Sequence, residues 1–524
     1  SNGSGGAIYA EYNSIITCYD CSFTSNSAVY YGGAICLATS QNSHSSPSYL
    51  DHIAVARIAG TSFTSNSAGE RGGAIYASTQ STLDIDDLHL WDTAASSSKA
   101  SSFTSNSSAY EGQAICATDA LVTIAGTSSK YITVSKQVGL YEAIYLANCT
   151  FLATDSIINT MTPANETRGI CYVTFSGNSA SYYVDNGTTY SAAPGAALCI
   201  DSGTGTVANC TFSGNMDTTS GGALAIYLTN GGSTITVSGC TFTGNYTNSS
   251  SLKATSGLNN AGGGAIAIID CLSNSSDNII IEGCIFTGNY AVESLSVSGG
   301  AVSAFAVVGV TSDTNILMMN CSFTSNYTKA TGSYPNDTSY GGAIYNEAGN
   351  TLIVYGSLFN SNYSTTAIGS LSNGGAIYSA GTLELIASTF YANHSEYLGG
   401  ALYDSGATKI VSCTFAKNGC TYAISQTSSS STTTTTPTTS ASTPRGGAIY
   451  AAGTTTVANS IIYDNYENEV VVTTTTQKGV TTTTTSIQGI SDDIYSGVSA
   501  GYNIIKSYSG TTIDTKTDKT GSQS

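Results

Sequence analysis

The densest group of chemically capable residues in this 524-residue chain is Asp84-Ile85-Asp86-Asp87-Leu88-His89-Leu90-Trp91-Asp92. On an extended strand Asp84 and Asp86 share a face. Carboxylates paired in that way act as general acid and base in glycosidic-bond cleavage. Trp91, the single tryptophan, would offer a flat platform for a sugar. The plainer reading is a solvated loop whose Leu88, Leu90 and Trp91 pack on the body, and it carries more weight. The 33 acidic residues are otherwise scattered, and Asp51-His52 reads as an isolated surface pair. Cys18-Tyr19-Asp20-Cys21 has neither a second cysteine pair nor a nearby histidine, as a zinc site would need. No Gly-Gly-x-Gly-x-Asp calcium repeat occurs, and no Gly-x-Ser-x-Gly elbow stands between a strand and a helix, because no helix is expected. The expectation is therefore no catalytic residue, no metal ligand and no cofactor.

Any such residue would have to be positioned by a strongly repetitive chain. Two short words recur. One is Phe-x-x-Asn, seen at Phe23/Asn26, Phe63/Asn66, Phe212/Asn215 and Phe286/Asn289, with Phe242 and Phe323 opening further copies. The other is Gly-Gly-Ala followed by Ile, Leu or Val, beginning at Gly5, Gly32, Gly72, Gly221, Gly263, Gly299, Gly341, Gly374, Gly399 and Gly446. Where nothing is inserted, Phe precedes the next Gly-Gly by nine residues and follows the last by 16 to 18. A unit of about 25 residues is too short for a propeller blade at ~40–45 or a helical pair at ~33–47. It suits one coil of a parallel β-helix. Short β-branched runs such as Thr351-Leu-Ile-Val-Tyr355 read as strands, and no apolar stripe of helical period is present.

The words have stacking roles in such a coil. Phe points inward onto the Phe of the next rung, ~4.8 Å away. Asn tolerates the left-handed region and bonds the coils above and below. Gly-Gly permits a turn that a Cβ would block. These columns predict an all-β chain, one parallel β-helix of about 13 rungs and roughly 60 Å, with loop insertions. Residues 1–465 form the repeat domain, and 466–524 supply closing rungs and a Thr-rich tail.

The repeated Gly-Gly-Ala-Ile and Phe-x-x-Asn words resemble those of the polymorphic outer membrane protein (Pmp) family of chlamydial surface proteins. That resemblance implies a right-handed parallel β-helix and cell-surface adhesion, and it supplies no catalytic residue. Gly112-Gln-Ala-Ile, Glu142-Ala-Ile, Gly195-Ala-Ala-Leu and Phe151-Leu-Ala-Thr154 read as degenerate copies. No C-terminal membrane barrel follows, so autotransport is not carried over.

Composition narrows the function classes. Net charge is −18 with four arginines (57, 71, 168 and 445), which argues against nucleic acid. The longest apolar runs are about half of the ~20 residues a membrane helix needs. With 9% charged and 41% apolar residues, the surface must be mostly hydroxyl and amide. No initiating Met or signal peptide is present, and the chain opens within a repeat, so its first rung is expected to need a cap or neighbour. Fourteen cysteines suggest an oxidising compartment. Cys210, Cys240, Cys284 and Cys321 fall on successive rungs, where ~4.8 Å lies inside the ~4.4–6.8 Å disulfide window. Disulfides and a column of small buried thiols are both open there, whereas Cys413 and Cys420 suit a local loop closure. The 14 glycosylation sequons are little above chance. Asn165, Asn186, Asn248, Asn274 and Asn336 lie in insertions and are the better candidates. Asn106, Asn245, Asn326, Asn362 and Asn393 belong to the repeated Asn column. Residues 428–444 read as a mobile or O-glycosylated loop.

The expected function is a non-enzymatic extracellular or cell-surface structural or adhesive protein, a subunit of a glycosylated fibre built by end-to-end stacking. Its partners would be further copies of itself or the glycans and proteins of a host or neighbouring cell. The competing class is a polysaccharide lyase or glycoside hydrolase on the same fold.

Overall fold

The computed structural model describes all residues except 1–2, 12, 39–53, 88–98, 152–168, 182, 186–187, 191–193, 249–260, 274–275, 294–295, 333–336, 367–370, 430–444, 478–479, 491–492, 507, 510, 514–515 and 521–524. Among the described residues there is no helix. The strands form a parallel β-helix, and one coil shows how the sequence builds it. Gly299-Gly300-Ala301 turns the chain into Val302–Ala306, which is followed by Asn315–Met319. Asn320 then bends the chain at φ 53°. Ser322–Thr324 carries the core phenylalanine. Ser325 bends it again at φ 56°, Tyr327–Ala330 follows, and Thr338–Tyr340 leads into the next Gly-Gly. Stacked coils align these strands into a 28-stranded sheet that takes two strands from most coils, a 15-stranded phenylalanine sheet, an 11-stranded third sheet and a four-stranded fourth sheet.

Phenylalanine fills the core as the spacing requires. Phe286 pairs in register with Phe323, and Phe323 with Phe359. Their ring centroids lie 4.6 and 4.8 Å apart with planes 1° and 4° from parallel. From Phe63 to Phe415 these rings have no solvent exposure.

The asparagine column is a hydrogen-bond ladder. Asn26 donates from both its backbone N and its Nδ2 to Asn66 Oδ1, at 3.0 and 2.9 Å. Asn66 makes the same pair of bonds to Asn106, and Asn215 to Asn245. Asn289 does so to Asn326 Oδ1, at 2.9 and 3.0 Å, and Asn326 to Asn362. The second Nδ2 proton of Asn326 reaches back to the Phe286 carbonyl at 3.0 Å. The ladder ends on Asp493, whose Oδ1 accepts from Asn465 N and Nδ2 at 2.9 and 2.8 Å.

The conformation expected of these asparagines is corrected. Asn26, Asn66, Asn215 and Asn289 do not take the left-handed region; the residue before each of them does, with φ 55° at Ser25 and Ser65 and 60° at Gly214 and Gly288. The physical reason is the direction of the next donor. A left-handed bend at the preceding residue carries the asparagine N–H away from the strand ladder, so a side-chain oxygen must receive it. Asparagine is selected for that oxygen and not for its tolerance of positive φ.

Two residues before each Phe runs a second ladder. Cys321 N donates to Ser357 Oγ, and Ser357 N to Ser388 Oγ, both at 3.1 Å. Each follows a left-handed residue, Asn320 and Gly356. Side-chain size is therefore only half of what this column selects; a lone pair facing the preceding coil is the other half.

The first Gly of each Gly-Gly pair takes a left-handed φ, 60° at Gly299. The second is held by contact: a Cβ on Gly300 would sit 2.2 Å from Gly342 O and 2.4 Å from Tyr327 O.

Two further sequence expectations change. Phe151 lies in Ile144–Phe151 of the long sheet and not in the phenylalanine sheet. The coil at this level is supplied by Ile132–Ser135, with Val134 between Phe103 and Phe175 in register and Gln137 in the asparagine ladder. The Thr-rich segment is a hairpin, Tyr466–Gln477 antiparallel to Val480–Ile490.

The ladders should dominate stability. Phe286→Ala is expected to cost about 3–5 kcal/mol through cavity formation. Asn289→Ala should cost about 1–3 kcal/mol for each of the two Asn245 donors it strands. Thr287→Ala on the outer face should change stability by less than about 0.5 kcal/mol. Urea unfolding followed by circular dichroism measures all three.

Candidate functional site

The acidic cluster is built into the coil. Asp84 and Asp86 lie in the strand Thr82–Asp86 and are buried, which replaces the solvated-loop reading for these two. Asp84 sits in register between Arg57 and Thr123. Asp87 is a structural bridge: its carboxylate accepts Gly60 N at 2.9 Å, Ser101 N at 2.7 Å and Ser101 Oγ at 2.8 Å. It thereby continues the hydroxyl ladder through Ser101. His89, Trp91, Asp92 and the Asp51-His52 pair lie outside the described residues. No group of three His, Cys, Asp or Glu placed to hold a metal is found among the described residues.

Tyrosines line the third sheet. Tyr246, Tyr290, Tyr327 and Tyr363 stack at 4.8 to 4.9 Å with planes within 7°. Their faces are occupied by one another, so edges and hydroxyls look outward. In the next coil His394 stands beside Tyr363. There a groove of about 370 Å3 opens between Ser361, Tyr363, Thr365, His394 and Glu396. Burial lowers the His394 pKa, so the imidazole is neutral at pH 7. Glu396 is engaged by Thr366 N at 2.7 Å. The groove is shallow and mostly apolar, with a neutral donor–acceptor at one end, and it suits the edge of an uncharged polar ligand.

Two buried carboxyls were not anticipated. Glu142 occupies the second-glycine column and accepts Gly112 N at 3.1 Å. Asp217 accepts Thr219 N at 2.6 Å and Thr219 Oγ1 at 2.7 Å. Burial pushes each carboxyl up to about 8, so both are neutral at pH 7 and belong to the interior of the coil. The signal was available in the degenerate word Glu142-Ala-Ile, where a charged residue stands in a column that is glycine in the intact words.

All 14 cysteines are free thiols. Cys210, Cys240, Cys284 and Cys321 take the place of serine in the second ladder: their Sγ atoms donate to the carbonyls two residues back at 3.2 to 3.4 Å. No disulfide joins these sulfurs in this structure. Cys413 does the same toward Val411 O. Cys420 lies beside Ser395 in the third sheet, so the expected local closure between Cys413 and Cys420 is not formed. Burial raises the Cys240 thiol well above its usual pKa and Cys413 to about 11, which leaves them protonated and unreactive.

The sequon asparagines divide in the same way. Asn106, Asn245, Asn326, Asn362 and Asn393 are buried in the ladder, and their Nδ2 atoms are hydrogen bonded. Asn66, Asn215 and Asn289 are buried with them and Asn26 is half-buried, but these four carry no sequon. Their amides are committed to the next coil, so they hold the stack and contribute nothing to a ligand site. Asn248 is exposed. Asn165, Asn186, Asn274 and Asn336 lie outside the described residues.

Coils of parallel strands locked by phenylalanine and asparagine columns define a β-helix repeat protein whose regular positions serve stacking. Its repeats are similar to the Chlamydia polymorphic membrane protein repeat, whose family model matches residues 20–38, 60–78 and 320–347. No curated protein matches the chain. No solved structure matches it. Among the described residues no helix is long and apolar enough to cross a membrane.

The buried carboxyls set a pH dependence. Unfolded, Glu142 and Asp217 release their protons in the ordinary carboxylate range; folded, they hold them to about 8. The folded state binds more protons across that window, so stability falls as pH rises through it. The melting temperature should be higher near pH 5 than near pH 8, and Glu142→Gln or Asp217→Asn should flatten the difference in a thermal unfolding series.

Proposed function

We propose that this chain is a non-enzymatic scaffold of a cell surface, serving adhesion or forming part of an extracellular fibre. The observation that carries this reading is the use of the repeated positions. Phenylalanine, asparagine, glycine and the small hydroxyl or thiol column all hold coil to coil, and the chemistry left to the outside is hydroxyl, amide and tyrosine edge. The family its repeats resemble, polymorphic membrane proteins, supports a surface location. Asn248 is an exposed sequon for a glycan, and the sequons in insertions add further candidates.

The contacts that join one coil to the next include main-chain ladders, which an end coil of one copy can offer to an end coil of another. Head-to-tail stacking of that kind gives an open, propagating assembly. Lateral binding would go to glycans or proteins of neighbouring or host cells through the outward tyrosine edges and the groove at Tyr363 and His394.

Negative-stain electron microscopy of the purified chain should show filaments one rod wide; isolated rods at all concentrations would remove the fibre reading. Binding to a glycan or cell array should fall with His394→Ala, while the melting temperature stays within a few degrees. Cleavage of any polysaccharide in an acidic and neutral panel, abolished by Asp86→Ala, would overturn the non-enzymatic assignment.

A further inference from the structure

The phenylalanine sheet has an outer face of unusual uniformity. Each of its strands shows solvent two side chains, one on either side of the inward residue. From Ser22–Thr24 to Ser322–Thr324, nine successive strands stand in register. Every outward position in them is serine or threonine except Ile285. The face therefore carries two parallel rows of hydroxyls and no charge. Along a row the repeat follows the ring stack beneath, 4.6 to 5.0 Å between Phe centroids. Across the rows, two residues of strand span about 6.6 Å.

The array is also regular. The Phe rings beneath it, interrupted only by Val134, stack with planes 1° to 7° from parallel. In the first two coils the hydroxyls contact one another: Ser62 Oγ donates to Ser22 Oγ at 3.2 Å, and Ser22 Oγ lies 3.2 Å from Thr24 Oγ1.

A charged polymer would find no counter-charge on this face, and a sugar ring would find no open aromatic plane. A small molecule would touch one or two coils and gain nothing from the other seven or eight. Only a ligand with the same two-dimensional period engages all of them. The spacing along the rows is close to the shorter oxygen repeat on the prism plane of hexagonal ice, and the spacing across them falls short of the longer repeat by less than a bond length. We propose that this face binds ice. The two rows order a layer of water between the threonine methyls, and that layer is continuous with the crystal lattice. Each contact is weak, but the frame is rigid and no side chain has to be ordered on binding, so many contacts act together. The face is separate from the groove at His394, and the inference does not rest on the surface-adhesion reading.

The test uses the full chain in ice-affinity partition and in an ice-recrystallisation assay, with fluorescently labelled protein on a single-crystal ice hemisphere to identify the plane. Wild type should concentrate in the ice fraction, label the prism plane and arrest grain growth. Thr64→Lys/Thr243→Lys, which lifts two bulky charges above the array, should lose all three effects. Ser107→Lys, on the strand Ser107–Ser108 of a separate three-stranded sheet, should keep them. Circular dichroism and melting temperature establish that each variant is folded. Should the double variant melt early, Thr243→Lys alone carries the test, because that threonine is already exposed. Wild type that stays in the liquid fraction, equal loss in Ser107→Lys, or retention of grain-growth arrest in a folded array variant would overturn the proposal. So would binding to crystalline cellulose or chitin without binding to ice, since the hydroxyl rows would then be reading a polysaccharide.

Discussion

Two backbone N–H groups in a regular coil are received by side chains, that of the residue two before the phenylalanine and that of the asparagine after the phenylalanine strand, and the rest of the structure is arranged around the second. The residue before it adopts a left-handed bend, as at Ser325, and the strand ladder cannot follow. A buried donor in that position costs about 1–3 kcal/mol if left alone. The amide oxygen of the next asparagine meets it, and the same oxygen takes the Nδ2 proton as well. The side chain that solves the problem in one coil therefore presents its own amide to the next. The solution works only if coils keep a common register, and that register is what stacks the phenylalanines, brings the second glycine against a carbonyl and aligns the outer rows.

The same logic explains the exceptions. Where Val134 takes the phenylalanine position, Gln137 takes the asparagine position, and its Oε1 still accepts Asn106 N at 2.7 Å. Where the second glycine is replaced by Glu142, the larger side chain lies in the interior as a neutral acid. Cysteine replaces serine in the second ladder because a thiol can also donate to a carbonyl and receive an N–H, as Cys210 N to Cys240 Sγ at 3.4 Å shows. Function of a residue type in this chain is thus decided by its column before its chemistry.

Much of this was legible in the sequence because a column that selects one residue repeats it. Phe23, Phe63 and Phe212 announced the core, and the Gly-Gly pairs announced the turn. The coil at Ile132–Ser135 was not legible, since Val134 and Gln137 satisfy the same contacts without spelling either word. The buried state of Asp84 and Asp86 was also hidden: alternation places them on an outward face, and burial there depends on what else covers the strand. The left-handed bend was assigned to Asn26, Asn66, Asn215 and Asn289 because asparagine's intrinsic preference allows it. It falls one residue earlier, where Ser, Gly, Ala and Lys all accept it. The serine and threonine rows were visible as composition, but a regular lattice emerges only when nine strands are laid side by side.

The ladder is indifferent to how much chain lies between its members. Asn393 and Asn418 are 25 residues apart and Asn418 and Asn465 are 47 apart, yet the amide contacts are 2.9 and 2.8 Å. Closure is set by the coil, and the excess is expelled as loop. A recombination event that adds or removes a whole coil, or lengthens the connection between two strands, leaves every other register unchanged. The rod is therefore a frame on which exposed loops can diversify rapidly while the gene changes length, and it needs no compensating mutation in the core to do so.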